Sequence, residues 1–280
     1  MAKGLSGLRR RISSVKATKK VTKAMQMIAT TKLKTWKQSL LDARLYAEQL
    51  IELVQKHLSH QDILNLPYFH AAPDAPTLHL LLTSNLGLCG SYNAIMIQAT
   101  LPSVQRNDTI LIIGQKGARL LKKSNRNVDE TYMTLNATDM TSIRPLVDDI
   151  LNQFKQKQWS SVVIHYAKFV NSLVFHPTPI TILPLAFSKT NEKMNPLDVP
   201  LIEPDPRTVF EQILPLYMKN TIFSSLIEAQ VSEQSARRNA MEKASDNADE
   251  LVEQLQLDYN KQRQANITQE IAEIIGGTAE

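Results

Sequence analysis

Cysteine is almost missing from this chain. Cys89 is the only one in 280 residues, which excludes an internal disulfide and suits a reducing compartment. No apolar run approaches the roughly 18 residues that would signal a membrane-spanning helix. No apolar stretch follows the first basic residues, so a secretory signal is not expected. Proline and glycine are missing from two long stretches, Leu8 to Leu66 (59 residues) and Leu216 to Ile275 (60 residues). All thirteen prolines lie between Pro67 and Pro215, so the two ends read differently from the middle. Acidic residues are missing from the first 41 positions, which hold eleven Lys and Arg. Residues 231–280 are the reverse, with ten acidic side chains and five basic ones.

What is present at the ends is helical periodicity. Leu8, Ile12, Val15, Thr22, Ala29, Leu33, Trp36 and Leu40 recur at spacings near three and four, with Val21, Met25 and Ile28 widening the stripe. Lys19 and Gln26 interrupt the heptad, and Met25 and Met27 read by themselves as core filler. Gly4 and Gly7 precede this rod, which continues through Leu45, Leu50, Leu53 and Val54 and frays at His57 to His60. In the second rod Ile222, Leu226, Ala229, Ala236, Ala240, Ala244, Ala248, Leu251, Leu255 and Tyr259 form the stripe, and Gly276-Gly277 ends it. Sixty residues at 1.5 Å each make a rod of roughly 90 Å, which cannot bury its stripe against itself. The two rods match in length and oppose in charge, so an antiparallel coiled coil is expected. The small residues between Ala236 and Ala248 predict a thin seam, and Ile267, Ile271, Ile274 and Ile275 predict an apolar tip that the first rod leaves uncovered.

The middle changes period. Strands are expected over 77–83, 109–113, 128–133, 161–166 and 179–185, with helices over 92–104, 115–123 and 141–156. Alternating strands and helices imply a mostly parallel sheet covered on both faces. Pro196, Pro200, Pro204 and Pro206 mark a loop leading to the second rod. The chain therefore divides into an N-terminal coiled-coil helix over 1–66, a small Rossmann-like α/β domain over 67–215, and a C-terminal coiled-coil helix over 216–280.

Chemistry is thin in this pattern. Gly87-Leu88-Cys89-Gly90 lies between a strand and a helix but matches neither a dinucleotide fingerprint nor a P-loop, so its glycines read as structural. Cys89 has no histidine near it in sequence, and His57 with His60 reads as a solvated helix end rather than half of a zinc site. No catalytic or metal-binding residue and no cofactor is expected. The basic N-terminal face allows three readings: a solvated helix face meeting acidic partners, a nucleic-acid arm, or a presequence. The helical pattern runs past Lys32 without a cleavage-like break, which disfavours the presequence. No nucleic-acid motif or aromatic stacking platform accompanies the charge. A mechanical or scaffolding part is the reading left. A basic coiled-coil scaffold that binds nucleic acid is the alternative, and a nucleotide-binding enzyme built on the middle domain is a weaker third.

Three stretches carry a resemblance: Val21-Thr22-Lys23-Ala24-Met25-Gln26-Met27, Ser84-Asn85-Leu86-Gly87-Leu88-Cys89-Gly90-Ser91-Tyr92-Asn93, and Tyr259-Asn260-Lys261-Gln262-Arg263-Gln264-Ala265-Asn266-Ile267-Thr268-Gln269-Glu270-Ile271. In order and spacing they resemble the gamma-subunit family of F-type ATP synthases, along the whole chain. Leu86 stands where that family commonly has a basic residue, and Ser91 replaces a frequent glycine. The cysteine-bearing insert of chloroplast forms is missing, so thiol regulation is not implied and the bacterial form is the better match. The resemblance implies a central rotor shaft, with the coiled coil inside a hexamer of alpha and beta subunits. It places the α/β domain against the epsilon subunit and the proton-driven ring of c subunits. The chain would be a non-catalytic subunit of the complex, peripheral on the cytoplasmic side of a bacterial inner membrane, with no nucleic-acid partner. By the same resemblance Lys23 and Met25 lie near the moving lever of a beta subunit. Arg263, Gln264, Thr268 and Glu270, with Ile271, match positions that couple rotation to the hexamer, and Arg237 matches one linked to the Met25 region. An asymmetric shaft of this kind biases three equivalent catalytic subunits differently, which is a coupling free energy between distant sites.

Overall fold

The structure is a computed structural model and describes residues 2–57, 61–135, 140–186 and 205–277. The chain forms two compact units: residues 1–31 with 237–280, and residues 32–236. Helix α1 (Ala2–His57), which the short α2 (Gln61–Leu64) follows, and helix α6 (Pro206–Gly277) are the long ones, and α1 and α6 contribute to both units.

The larger unit is built on a five-stranded sheet. Its strands are β1 (Thr77–Leu82), β2 (Thr109–Ile113), β3 (Asn127–Asp129), β4 (Ser161–Phe169) and β5 (Phe175–Leu183), in spatial order 3-2-1-4-5. The first four are parallel, with Leu80 of β1 level with Leu111 of β2 and Ile164 of β4; β5 returns antiparallel to β4. Alternation along β1 sorts its side chains by face. Leu78, Leu80 and Leu82 join Leu146, Val147 and Ile150 of α5 (Arg144–Lys155) and Phe210, Leu214, Met218 and Ile222 of α6. Leu81 turns the other way, to Tyr92 and Met96 of α3 (Tyr92–Thr100) and Ala118 and Leu121 of α4 (Gln115–Leu121). The mostly parallel sheet covered on both faces is therefore what the strand–helix alternation predicted.

Element boundaries differ from expectation in several places, three of which have a clear local cause. The third strand stops at Asp129 rather than running to Met133, because the Asp129 carboxylate accepts from both the amide and hydroxyl of Thr131, turning the chain. The last strand starts at Phe175, so Pro177 and Pro179 lie inside it. Strand β5 is the sheet edge, where a residue without an N–H is tolerated. Helix α6 starts at Pro206, ten residues before the expected rod, and keeps Pro215 inside it. Asp205 launches it: one carboxylate oxygen accepts the Thr208 amide at 2.9 Å and the other the Thr208 hydroxyl at 2.7 Å. Those hydrogen bonds hold the Asp205 carboxyl below its ordinary range. An Asp cap followed by Pro in the first turn is a helix start, and only the residues before it belong to the connection. Gly4, Gly7, Gly276 and Gly277 also lie within helices rather than outside them. Pro196, Pro200 and Pro204, and residues 58–60 of the expected fraying end, lie outside the described residues.

Two histidines are buried in the sheet. His79 Nδ1 is 2.9 Å from His165 Nε2, and His79 Nε2 is 3.3 Å from Asp108 Oδ2. Asp108 also accepts the Thr77 and Gln105 amides, at 2.8 and 2.6 Å. Burial drives His165 down to about 4, with His79 beside it adding to the shift, and burial lowers His79 against the opposing pull of Asp108. A histidine lowered on folding binds fewer protons than the unfolded chain at intermediate pH, so stability rises with pH there. The contribution of His165 is complete above about pH 6.5 and is lost as pH falls toward 4. At about 1.4 kcal/mol per unit the loss is of the order of 2 to 3 kcal/mol. Both tryptophans, Trp36 and Trp159, lie in this unit, so tryptophan fluorescence in denaturant titrations at pH 7, 5.5 and 4.5 reads its stability. The midpoint should fall across that range, and a His165→Gln variant, which cannot take up the proton, should flatten the slope.

Candidate functional site

All eight residues expected to contact partners, Lys23, Met25, Arg237, Arg263, Gln264, Thr268, Glu270 and Ile271, fall in the smaller unit. It pairs the first part of α1 with the last part of α6. Arg9 Nη2 donates to the Tyr259 hydroxyl at 3.1 Å, Lys19 pairs with Asp249, and Thr22 Oγ1 lies 2.7 Å from Ser245 Oγ. Numbers rise on one helix as they fall on the other, so the helices run antiparallel, as their charges suggested. The α1 seam is Leu8, Ile12, Val15, Lys19, Thr22, Gln26 and Ala29, alternating by four and three without a break. Lys19 and Gln26 thus occupy the heptad rather than interrupting it. The half-buried Lys19 lays its stem along the seam and delivers its ammonium to Asp249. Gln26 Oε1 is buried without a hydrogen-bond partner among the described residues.

The opposing seam is Met241, Ser245, Ala248, Val252, Leu255 and Tyr259. Of the alanine run, Ala248 is buried, whereas Ala240 and Ala244 are only half-buried and Leu251 is exposed. The reason is geometric. An unbroken spacing of four drifts around a helix of 3.6 residues per turn, and only alternation of four and three stays on the partner.

Met25, Val21 and Ile28 are 37%, 57% and 50% exposed, and Met27 60%, which overturns both the widened stripe and the core-filler reading. Val21, Met25 and Ile28 each sit one residue before a seam position, about 100° away from it. They form an apolar row at four and three spacing, flanked by exposed Lys20 and Lys23. Arg263, Gln264, Thr268 and Glu270 are exposed on α6, and Thr268 Oγ1 donates to the Gln264 carbonyl. Ile267, Ile271 and Ile274 line one face at 47%, 51% and 67% exposure, as expected of the uncovered tip; Ile275 belongs to the same motif, but its side chain lies outside the described residues. Arg237, by contrast, is 7% exposed. The cross-helix register sets Met25 level with Lys243 and Arg237 level with Thr31, about 9 Å apart along the axis. Sequence reasoning missed the outward Val21–Met25–Ile28 row. The offset of one from an unbroken heptad was the signal that could have found it.

The glycine turn of the larger unit is closed by its own side chains. Asn93 accepts the Ser84 amide at 2.9 Å and donates to Ser84 Oγ at 2.7 Å and to the Cys89 sulfur at 3.4 Å. The amides opening α4 are taken as well, Lys116 N by the Ser84 carbonyl and Gln115 N by Asn85 Oδ1. Gly114 has φ +117°, and a Cβ there would stand 2.3 Å from Thr83 Oγ1. These groups build a turn and leave Leu86 and Leu88 outward, 65% and 61% exposed. Among the described residues no cluster of three His, Cys, Asp or Glu is placed to hold a metal ion, and no helix is long and apolar enough to cross a membrane.

A family model described as ATP synthase matches residues 4–279. An ATP synthase gamma chain of Mycoplasmopsis pulmonis is 33% identical over 280 residues, 99% of each chain. The chain belongs to the ATP synthase gamma-chain family. Another member, from Clostridium novyi, is 32% identical over 98% of this chain and 97% of its own. Among solved structures, a chain of the Euglena gracilis mitochondrial ATP synthase assembly of OSCP, F1 and c-ring aligns with a TM-score of 0.68 at 17% identity. It covers all of this chain and 95% of its own. A chain of the Tetrahymena thermophila central stalk and c-ring aligns at 0.58 and 22% identity, over 80% of this chain and 99% of its own. This gamma-family chain thus shares with them the long helix pair and the mostly parallel sheet.

Two outcomes follow from the seam. A Thr22→Cys, Ser245→Cys double variant should form a disulfide within one chain on mild oxidation, seen as a faster-migrating monomer on non-reducing gels. A disulfide-linked dimer would contradict the antiparallel pairing. Replacing Gln26 with Leu removes the unpaired buried oxygen and should stabilise the helix pair by roughly 1 kcal/mol. A higher midpoint of the far-UV helical signal in thermal melts is the check.

Proposed function

We propose that this chain is the central rotor shaft of an F-type ATP synthase. It transmits rotation between a proton-driven ring of c subunits and a hexamer of alpha and beta subunits, and so couples proton movement to ATP synthesis and hydrolysis. The observation that carries this is the match to gamma chains from end to end, at 32–34% identity to several bacterial members. The printed descriptions of the aligned structures as rotor, central stalk and c-ring support it. In this reading the chain is a non-catalytic subunit of a membrane-associated complex. It lies on the cytoplasmic side of a bacterial inner membrane and also contacts an epsilon subunit. The nucleic-acid scaffold draws no support from these likenesses.

The proposed contacts with the hexamer are Lys23, Met25, Arg263, Gln264, Thr268, Glu270 and Ile271; Arg237, buried, belongs with them through its proposed link to the Met25 region. The exposed apolar rows of both helices, the first bordered by Lys20 and Lys23 and the second by Arg263 and Glu270, supply surfaces whose fit to each catalytic subunit changes with angle. A ligand shifts an equilibrium only by its differential affinity for the two states, and an asymmetric shaft supplies that difference mechanically. Reconstitution with alpha and beta subunits tests the reading. Stoichiometric assembly and ATP-driven rotation of a bead on this chain are expected. Failure to assemble with such a hexamer would sink the proposal.

Met25→Lys adds a third cation beside Lys20 and Lys23. Against an acidic lever it would form a charge pair in some rotor positions only, worth roughly 1 kcal/mol or more. ATP hydrolysis per site should stay near normal while proton pumping per ATP falls, measured in membrane vesicles. An unchanged ratio in an assembled complex would mean that this contact carries no coupling.

A further inference from the structure

Within the larger unit, α6 is buried on every side from Ser225 to Ser235, apart from half-buried Gln230. Few helices of a soluble protein are covered all round, and a charged side chain in such a stretch needs partners. Glu228 has them. Its Oε1 accepts Arg44 Nη2 from α1 at 2.7 Å and the backbone amide of Phe169 from β4 at 3.1 Å. The Glu228 side chain is 9% exposed and that of Arg44 47%.

The Phe169 amide is available for a reason set by topology. Strand β1 pairs with β4 only as far as Leu81 opposite His165, while β4 runs on to Phe169 against β5 alone. Beyond His165 one edge of β4 has no neighbouring strand among the described residues, and α6 side chains take that place. Ser232 Oγ donates to the Ala167 carbonyl at 2.9 Å, and Glu228 accepts from Phe169. Ser235 Oγ continues the row to the Ser172 carbonyl at 3.1 Å. On the far side, Lys37 of α1 holds its ammonium 5.0 Å from the centre of the Phe169 ring. One carboxylate thus ties both long helices to the open edge of the sheet.

We propose that Glu228, held by Arg44 and the Phe169 amide, is a positioning residue for torque. It makes the sheet turn with the helix pair instead of twisting against it. Apolar contacts around it are non-directional, whereas a buried carboxylate that rotates off its donors loses both hydrogen bonds with nothing to replace them. The proposal rests on the rotor reading above.

The test uses the full chain assembled with its hexamer. A bead is attached at Lys123→Cys, an exposed position; native Cys89 is buried and escapes labelling. With ATP withheld, the angular variance of the bead reports torsional stiffness. Glu228→Ala should at least double that variance while ATP hydrolysis stays within twofold. Arg44→Met should widen it less, and Glu228→Gln, which still accepts from the amide, should restore part of the stiffness. Arg207→Ala, which breaks the exposed pair to Glu211, should change nothing. Unchanged variance in assembled Glu228→Gln and Arg44→Met complexes would overturn the proposal, even if their melting temperatures fell. If Glu228→Ala does not assemble, those two variants decide. A wild-type chain that neither assembles nor rotates would overturn the rotor reading itself, a result distinct from a rotor of unaltered stiffness.

Discussion

Everything here depends on one constraint: a helix of 56 or 72 residues cannot satisfy its own apolar stripe. Each long helix has to be finished by the other, and in the larger unit by the sheet as well. In the smaller unit the interface that results is narrow and polar at its middle, with Lys19, Thr22 and Gln26 facing Asp249 and Ser245 across it. Pairs as exposed as Lys19 and Asp249 contribute about 0–1 kcal/mol. The polar stretch therefore sets register more than it adds stability, and the apolar positions on either side carry the energy.

Much of this was legible because periodicity reports burial directly. The two rods, the first two strands and the helices between them could be read from spacing alone. What misled was punctuation. The last strand was read as starting only at Pro179 and the second rod only after Pro215, yet a sheet edge and a helix held by tertiary packing accept prolines inside them. Asp205 was overlooked as a helix start because it lies among prolines. The outward row of Val21, Met25 and Ile28 was misread for a different reason: apolar character was taken to mean core, although an exposed apolar row is the usual mark of a surface awaiting a partner. The cluster of His79, His165 and Asp108 could not be seen at all. It joins side chains up to 86 positions apart, and only the sheet order brings them together.

The size of the proposed task bears on how many contacts it needs. Swinging a two-state equilibrium from 1:99 to 99:1 takes about 5.5 kcal/mol of differential binding. At roughly 1 kcal/mol per interfacial pair, no single side chain supplies it. A row on α1 and a second row near the end of α6, both in the smaller unit, are the sort of distributed surface that such a figure requires. Single substitutions there should erode coupling by steps.

The span of the Arg9 to Tyr259 contact, 250 residues, has a consequence in time. During synthesis at about 5–20 residues per second, α1 waits on the order of 12–50 s before its partner residue exists. Through that interval its stripe faces water. Lys19, Thr22 and Gln26, which weaken the finished seam, also make the waiting helix a poorer template for another nascent copy. The same three residues that dilute the interface thereby lower the chance that two chains pair with each other before either can pair with itself.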